Sequence, residues 1–339
     1  MHIWDGMEWK VGFCSVVVAG IVATGCDAMD DGRADPDDAT ARQAVAFNPP
    51  GWGCRTCTYS NSPVLGDEEI GVFSQGAAWA GYTLAGAIEP NTGLLHDVAV
   101  VGQALEVYHA NGDVLRGNAL VGYKLLFKQG KNAFEATIYA YEAHEDWAAG
   151  HSIDTYGIFH EVPPGGVGDL PPTNLCPGMN LDETSIVFIE GERYDAQTKT
   201  VMPNEPNFVT AACRGHAIAK MKLMGYDPND AYGSTPPQRQ ATLKMLTADY
   251  CGTGQSFTTI GQPLDWSDAM GNFPGGWGPG YLQDIEARWD DEGALCLAEP
   301  RNSAYDHRAV ETECGFDIPE CEGDPTDLEG AEWASYLVP

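Results

Sequence analysis

Residues 144–160 contain the side chains best suited to transferring protons or binding a metal ion. His144, His151 and Asp154 stand close together in this stretch. Neutral imidazoles and carboxylates serve both as general bases and as metal ligands, but the spacing here matches no recurrent zinc or calcium pattern. We interpret the cluster as a candidate polar site without a metal. The alternative is that short polar loops between strands produce it without any function.

A second candidate is a glycine- and proline-rich segment at residues 266–281, which carries Phe273, Trp277 and Tyr281. Long segments of this composition are often functional. Aromatic rings on an exposed loop offer flat apolar faces that suit a sugar ring. The segment is therefore a candidate glycan-binding loop, and the favoured alternative is that the rings pack against their own domain.

The ten cysteines favour disulfide bonds over zinc binding or catalysis, and they suit an oxidising compartment. Cys54 and Cys57 have the spacing of half a zinc site, but a tetrahedral site needs a second close pair. Cys251 lies two positions after Asp249, and a nearby carboxylate raises the pKa of a thiol, which disfavours a cysteine nucleophile. Because no phosphate-binding loop, dinucleotide fingerprint or nucleophile elbow occurs either, we expect no catalytic residue, metal or cofactor.

The charge of the chain excludes one class of function. There are 49 acidic against 18 basic side chains, for a formal net charge of −31. Nucleic-acid binding requires clustered cations that displace counterions from phosphate. We therefore expect no nucleic acid among the partners.

The first 25 residues have the features of an export signal. Residues 11–23 form an uncharged apolar run that is too short to cross a bilayer comfortably, and it ends just before Cys26. The sequence before Cys26 resembles a bacterial lipobox, which predicts lipidation of this cysteine and a membrane-anchored envelope protein. Met1 and Met7 are both candidate starts, and secretion without lipid is the alternative. Residues 26–50 are rich in aspartate and predict a solvated tether.

Residues 51–170 have the pattern of a β-rich antiparallel module, either a sandwich or barrel-like. Asn111-Gly112 is a strong signal for a two-residue hairpin turn. The segment 134–141 alternates, which places Phe134, Ala136, Ile138 and Ala140 on one face. The glycine- and proline-rich stretch 165–172 marks the predicted boundary with the next unit.

Residues 171–302 predict a mixed, disulfide-braced domain, so the fold class is α+β. The apolar periodicity indicates a pair of helices over 210–224 and 235–249. Strands are expected over 185–194 and 257–265, with a hairpin over 285–297. Residues 303–339 are expected to be an acidic C-terminal tail.

The string Ala248-Asp249-Tyr250-Cys251-Gly252, with its spaced flanking residues, resembles the ADYC domain of exported bacterial proteins. The resemblance covers about 175–302 and implies no catalytic residues, because this family has no assigned biochemical role. Asp249, Tyr250, Gly252 and Arg214 are expected to form a structural motif. In it, Arg214 pairs with Asp249, and backbone N–H groups of the glycine-containing turn bind the carboxylate.

The family also bears on the disulfide bonds, because two cysteines usual in it are replaced here by Met221 and Thr242. If the two predicted helices form an antiparallel hairpin, Cys213 and Cys251 lie at similar distances from the turn along the two helix axes, which allows a disulfide bond. This predicts a Cys213–Cys251 bond and leaves Cys176–Cys296 as a second. The remaining four cysteines then pair among themselves with partners left open; these are Cys54, Cys57, Cys314 and Cys321.

The function expected from the sequence is that of a cell-envelope lipoprotein, exported and anchored to a membrane through its lipid, that acts as a non-enzymatic binding or interaction module. Its ligand would be a glycan or a protein. The alternative is a hydrolase of envelope or extracellular polymer that uses the carboxylate and histidine cluster.

Overall fold

The computed structural model describes residues 45–47, 63–65, 68–76, 81–145, 152–160, 173–176, 185–195, 198–229, 233–258, 262–271, 285–324, 327–328 and 330–337. Several predictions lie outside these residues: the signal segment and the tether up to residue 44, together with Cys26, Cys54, Cys57, His151, Phe273, Trp277 and Tyr281.

Most regular structure in the described residues is β-strand. The strands are β1 (Val45–Phe47), β2 (Val64–Leu65), β3 (Glu68–Glu69), β4 (Val72–Gln75), β5 (Tyr82–Ile88), β6 (Leu95–Val101), β7 (Ala104–Tyr108), β8 (Val114–Arg116), β9 (Lys124–Gln129), β10 (Asn132–Glu145), β11 (Ser152–His160), β12 (Thr173–Asn174), β13 (Ser185–Asp195), β14 (Thr200–Cys213), β15 (Gln262–Asp268), β16 (Ile285–Trp289), β17 (Ala294–Leu297) and β18 (Trp333–Leu337). The helices are α1 (Ala217–Leu223), α2 (Pro236–Thr247) and α3 (His307–Cys314), with a 3₁₀-helix at Gly117–Leu120.

Seven of these strands form a closed, barrel-like sheet. They follow the order β4, β14, β13, β11, β10, β9 and β5, and β5 pairs again with β4. All pairs are antiparallel except β4 with β5. Phe73, Phe127 and Phe188 meet edge to face in the interior and are almost fully buried. Side chains therefore fill the barrel, and the predicted β-rich antiparallel fold is confirmed.

The barrel includes strands from both sides of the predicted domain boundary. β13 and β14 come after residues 165–172 in the chain, yet β13 pairs with β11 and β14 pairs with β4. One hydrophobic core contains both Tyr156 and Phe188. The boundary expected from the sequence thus falls between two strands of one sheet.

Local sequence signals placed one turn and one strand face only approximately. The Asn111-Gly112 hairpin forms between β7 and β8, but its loop has a residue more than expected, because His109 N–H bonds Asp113 O and Gly112 N–H bonds His109 O. Gly112 has φ +92°, as the bulge position of such a loop requires. In β10 a register shift between Ile138 and Ala140 moves Ala140 off the buried face, so its predicted placement is wrong.

Strands β6, β7 and β8 continue from β5 as a three-stranded antiparallel extension, which we call the cap sheet. Its inner face contributes Val100, Leu105 and Val107 to the barrel core. Its backbone is bonded to residues at one end of the barrel. Gln75 bonds both the N–H and the carbonyl of Val100, and Tyr156 accepts from Leu105 N–H at 3.0 Å. The cap sheet therefore covers that end of the barrel.

A second sheet contains β1, β15, β18, β16 and β17, in that order. α2 contacts β14 on one side and β16 and β18 on the other. Since α2 lies between two sheets, eight of its twelve residues are buried, including Arg239 and Lys244. Its start is confirmed: Thr235 and Gln238 form a capping box ahead of Pro236.

Only the second part of the predicted helix over 210–224 forms. Residues up to Cys213 belong to β14, and α1 begins only at Ala217. The segment from Val209 to Cys213 is buried and pairs with β13 along its length, and a strand buried on both faces loses the alternation that distinguishes it from a helix. The expected strand over 257–265 begins later, at Gln262, whereas the 285–297 hairpin forms as β16 and β17.

The predicted acidic tail is also wrong. Residues 303–339 contain α3 and β18, and β18 lies between β15 and β16 in the second sheet. Trp333 and Tyr336 of β18 are almost fully buried. No helix among the residues that the structure describes is long and apolar enough to cross a membrane.

Three disulfide bonds join Cys176 to Cys213, Cys251 to Cys314, and Cys296 to Cys321. The predicted Cys213–Cys251 and Cys176–Cys296 pairs are wrong, as is pairing of Cys314 and Cys321 within the remaining set. The helical-hairpin premise fails because Cys213 lies in a barrel strand. There it is 5.6 Å, Cα to Cα, from Cys176.

Candidate functional site

The ADYC segment begins where α2 ends. Ala248 adopts a left-handed conformation, with φ +49°, and terminates the helix. The chain then turns, and Phe257 N–H bonds back to Ala248 O. This turn places each following side chain of the motif in the interior.

Asp249 is fully buried beside a cation. One carboxylate oxygen, Oδ2, accepts from Lys244 Nζ and from Gly254 N–H, both at 2.8 Å. Lys244 also donates to the carbonyls of Thr198 and Gly252, at 2.9 and 2.8 Å. The expected bond from the glycine-containing turn is present, but the paired cation is Lys244 rather than Arg214.

Tyr250 belongs to a second buried network. Its hydroxyl donates to Glu286 Oε1 at 2.5 Å, and Arg301 Nε donates to the same oxygen at 2.6 Å. Arg301 also donates to the carbonyl of Met245 near the end of α2. Burial, reinforced by the Glu286 charge, raises the pKa of Tyr250 far above its usual range. The tyrosine is therefore a neutral donor that joins α2 to β16.

The next two residues fix the motif to its neighbours. Cys251 is bonded to Cys314 at the end of α3. Gly252 has φ +69°, and a Cβ there would lie 1.6 Å from the carbonyl oxygen of Glu292. Only glycine fits this position. These contacts support the interpretation of the ADYC segment as structural.

On the outer side of the Asp249 pair lies a contact that the sequence did not indicate. Lys199, in the turn between β13 and β14, has φ +53° and is 6% exposed. Its Nζ donates to Gly254 O and lies 2.7 Å from the hydroxyl of Ser256, which is partly exposed. Burial lowers the pKa of Lys199 to about 8, and the Lys244 charge adds to this, while Asp249 acts in the opposite direction. No spacing rule connects residues so far apart in the chain.

The predicted polar site is assembled only in part. Asp154 accepts from the hydroxyls of Tyr141 and Tyr156, at 2.7 and 3.4 Å. Burial and this bond raise the pKa of Tyr141 to about 12. His144 occupies a different position of the β10–β11 ladder, because it pairs with Ile153 while Asp154 pairs with Ala143. Among the described residues, no cluster of three metal-ligating side chains exists.

The outer face of the cap sheet carries exposed apolar side chains. Tyr108 pairs directly with Val114, so both point to the same side. Leu95 and Val101 lie on this face too by strand alternation. The exposures are 58% for Leu95, 47% for Val101, 42% for Val114 and 37% for Tyr108. The sequence signal for this surface is the alternation of side chains between the two faces of β6 to β8. Both faces carry apolar residues, so the sequence alone does not say which face is exposed.

Two histidines stack at one edge of the cap sheet. The rings of His96 and His109 lie 4.0 Å apart and nearly parallel, and His109 Nε2 is 3.0 Å from the hydroxyl of Tyr123. Glu89 approaches His96 Nε2 at 3.6 Å. The nitrogen lone pairs of an imidazole lie in the plane of the ring, so those of two stacked rings do not converge on one ion. This pair is therefore a packing contact rather than a chelate.

Comparison with known proteins gives one match. No curated protein and no solved structure matches the chain. The family model of the ADYC domain matches residues 117–303. The matched segment thus starts well before the 175–302 stretch that carries the recognisable residues, and it includes β9 to β11 of the barrel. Since the match covers more than half of the sequence, the chain belongs to the ADYC domain family.

Proposed function

We propose that this protein is a cell-envelope lipoprotein whose folded part is an interaction module, and that the outer face of the cap sheet is its binding surface. One observation carries the proposal. Leu95, Val101, Tyr108 and Val114 are well exposed on one face of a sheet whose other face is packed into the barrel core. Asp97, which pairs with Tyr108, is exposed on the same face. Exposed apolar side chains grouped on one face of a folded protein mark interaction sites.

The surface favours a protein partner. Stacking on a glycan needs several exposed aromatic rings close together, and Tyr108 is the single aromatic residue among these four. A flat apolar sheet face with one ion pair, Arg116 with Glu106, resembles the mixed surface of a protein interface.

The net charge further constrains the partner. Two copies of a chain with a net charge of −31 repel each other, so self-association through this face is disfavoured. A partner with an apolar patch rimmed by basic residues is favoured, because opposite potentials accelerate encounter and align the two surfaces.

Photocrosslinking in living cells tests the surface. A benzoylphenylalanine at position 108 should give a discrete adduct with one other protein, and adding Val114→Asp should abolish it. The matched control is position 139, where Tyr139 is 41% exposed on β10 outside the cap sheet. The captured protein, once purified, should bind the intact chain about 10-fold or more weakly after Val114→Asp. An adduct with a second copy, an adduct with lipid alone, or equal capture at both positions would contradict the proposal.

The lipid anchor needs its own test. Metabolic labelling with a fatty-acid analogue should mark the wild-type chain, and Cys26→Ser should abolish the label. Cys14→Ser is the matched control and should leave labelling intact, because Cys14 lies within the signal segment. A labelled Cys26→Ser protein would overturn the lipoprotein assignment.

A further inference from the structure

Ser256 and Lys199 have the arrangement of a nucleophile beside its base. The hydroxyl oxygen and the amine nitrogen are 2.7 Å apart, within the range that proton transfer requires. Ser256 is partly exposed, whereas Lys199 is nearly buried behind it. A reactive serine must reach solvent, and its base is most effective when shielded from water.

Lys199 is held in place through both its amine and its backbone. Gly254 O accepts from Lys199 Nζ, and the side chain of Gln240 binds the backbone of the turn. That side chain donates to Lys199 O at 2.5 Å and accepts from Val201 N–H at 2.7 Å. The left-handed backbone of Lys199 is uncommon for a residue other than glycine, and such strain is concentrated at functional positions.

The surroundings of the amine favour its neutral form. Burial lowers the pKa of Lys199 to about 8, so a substantial fraction is an unprotonated base at mildly alkaline pH. Asp249 Oδ2 already has a direct ion pair with Lys244. Lys199 is thus not needed as the counter-ion of that carboxylate.

We propose that Ser256 and Lys199 form a serine–lysine pair that cleaves carboxylic esters through an acyl-enzyme intermediate. Ser256 Oγ forms a bond to the ester carbonyl carbon while its proton passes to Lys199 Nζ. The bond from that carbon to the alcohol oxygen then breaks, and the alcohol leaves with the proton from Lys199. Water next attacks the acyl group with Lys199 as base, which releases the carboxylic acid and restores Ser256. This activity goes beyond the proposed interaction role and does not depend on it.

The test uses the intact, oxidised chain and a fluorophosphonate probe, which phosphonylates activated serines. We expect one adduct per chain, mapped by mass spectrometry to the peptide that contains Ser256. The rate of labelling should rise through about pH 8, as Lys199 loses its proton. p-Nitrophenyl acetate should show a burst of one equivalent with the same pH profile.

Three variants separate catalysis from structure. Ser256→Ala should lose the adduct with an unchanged melting temperature, since Lys199 keeps its bond to Gly254. Lys199→Arg keeps the charge and the donors but cannot deprotonate, and labelling should slow by about 100-fold or more. Thr253→Ala, which removes an exposed hydroxyl in the same loop, should label like the wild type. Absence of an adduct at pH 9, an adduct at another residue, or a flat pH profile would each overturn the proposal.

Discussion

Replacing Asp249 by Asn should destabilise the protein because it leaves Lys244 buried without its counter-ion. Asp249 is 0% and Lys244 2% exposed, and their contact is 2.8 Å. Removing one partner of a buried ion pair costs about 3–5 kcal/mol. The amide oxygen can still accept one bond, and Lys244 keeps two carbonyl partners. We therefore expect the lower end, a loss of about 3 kcal/mol, which lowers the melting temperature by about 6 °C in a unit of this size.

The assay is equilibrium unfolding in guanidinium chloride with the disulfides intact, on the two single variants and the double variant. Lys244→Met should cost at least as much as Asp249→Asn, since the carboxylate then keeps only the Gly254 N–H. The double variant should be more stable than the sum of the singles predicts, by about 1.5 kcal/mol or more.

The exposed pair of Lys124 and Glu135 is the matched control. Its atoms are 3.2 Å apart, but the side chains are 37% and 49% exposed. Glu135→Gln should cost less than about 1 kcal/mol, because solvent screens such pairs. The reasoning is refuted if Asp249→Asn costs no more than Glu135→Gln.

Further predictions concern the turn after α2, the disulfide bonds and acid stability. Gly252→Ala should prevent normal folding, since the new Cβ would lie 1.6 Å from Glu292 O. Gly112→Ala is the control: nothing lies within 4 Å of its Cβ, so the free energy of unfolding should fall by only about 1–2 kcal/mol. Similar losses of stability in both variants would contradict the expectation. Non-reducing peptide mapping should recover the Cys176–Cys213, Cys251–Cys314 and Cys296–Cys321 fragments. A Cys213–Cys251 fragment would contradict the placement of Cys213 beside Cys176 in the barrel. Burial lowers the pKa of His216 from 6.5 to about 3. The stability that the neutral imidazole contributes to the fold is therefore complete above about pH 6.5 and is lost as the pH falls towards 3. Unfolding free energies measured between pH 3 and 8 should depend less on pH in His216→Gln, and an identical slope would refute this.

Features encoded by neighbouring residues were predictable from the sequence. Thr235, Pro236 and Gln238 specify the start of α2 through bonds within one helical turn. The hairpin of β16 and β17 likewise forms around the Asp290 turn, where Asp290 N–H bonds Gly293 O.

Features decided by distant contacts were not predictable. The apolar periodicity of the following residues predicts a helix that begins at Thr210, whereas residues 210–213 are a strand because they pair with β13 and, at Thr210, with β4. β18 was assigned to a tail because its surroundings are acidic, yet Trp333 and Tyr336 are held by β15 and β16.

The candidate site illustrates the same limit. The resemblance to the ADYC family identified Asp249 and Tyr250, whose partners Lys244 and Glu286 follow from packing alone. Lys199 and Ser256 are brought together by the β13–β14 turn and the loop after α2. Neither residue belongs to a motif with a characteristic spacing.

The position of β18 sets the order in which the protein can fold as the chain emerges from its N-terminus into the compartment where it folds. The last barrel strand, β14, is complete at Cys213, whereas the second sheet needs Trp333–Leu337 between β15 and β16. The residues that separate the two events are 214–337. Once Trp266 and Trp289 have emerged, both of which are almost fully buried in the finished fold, their strands lack the β18 partner until residue 337 has followed. The incomplete chain therefore exposes apolar surface and unpaired strand edges, the features that make a folding chain prone to aggregation, until its final strand arrives.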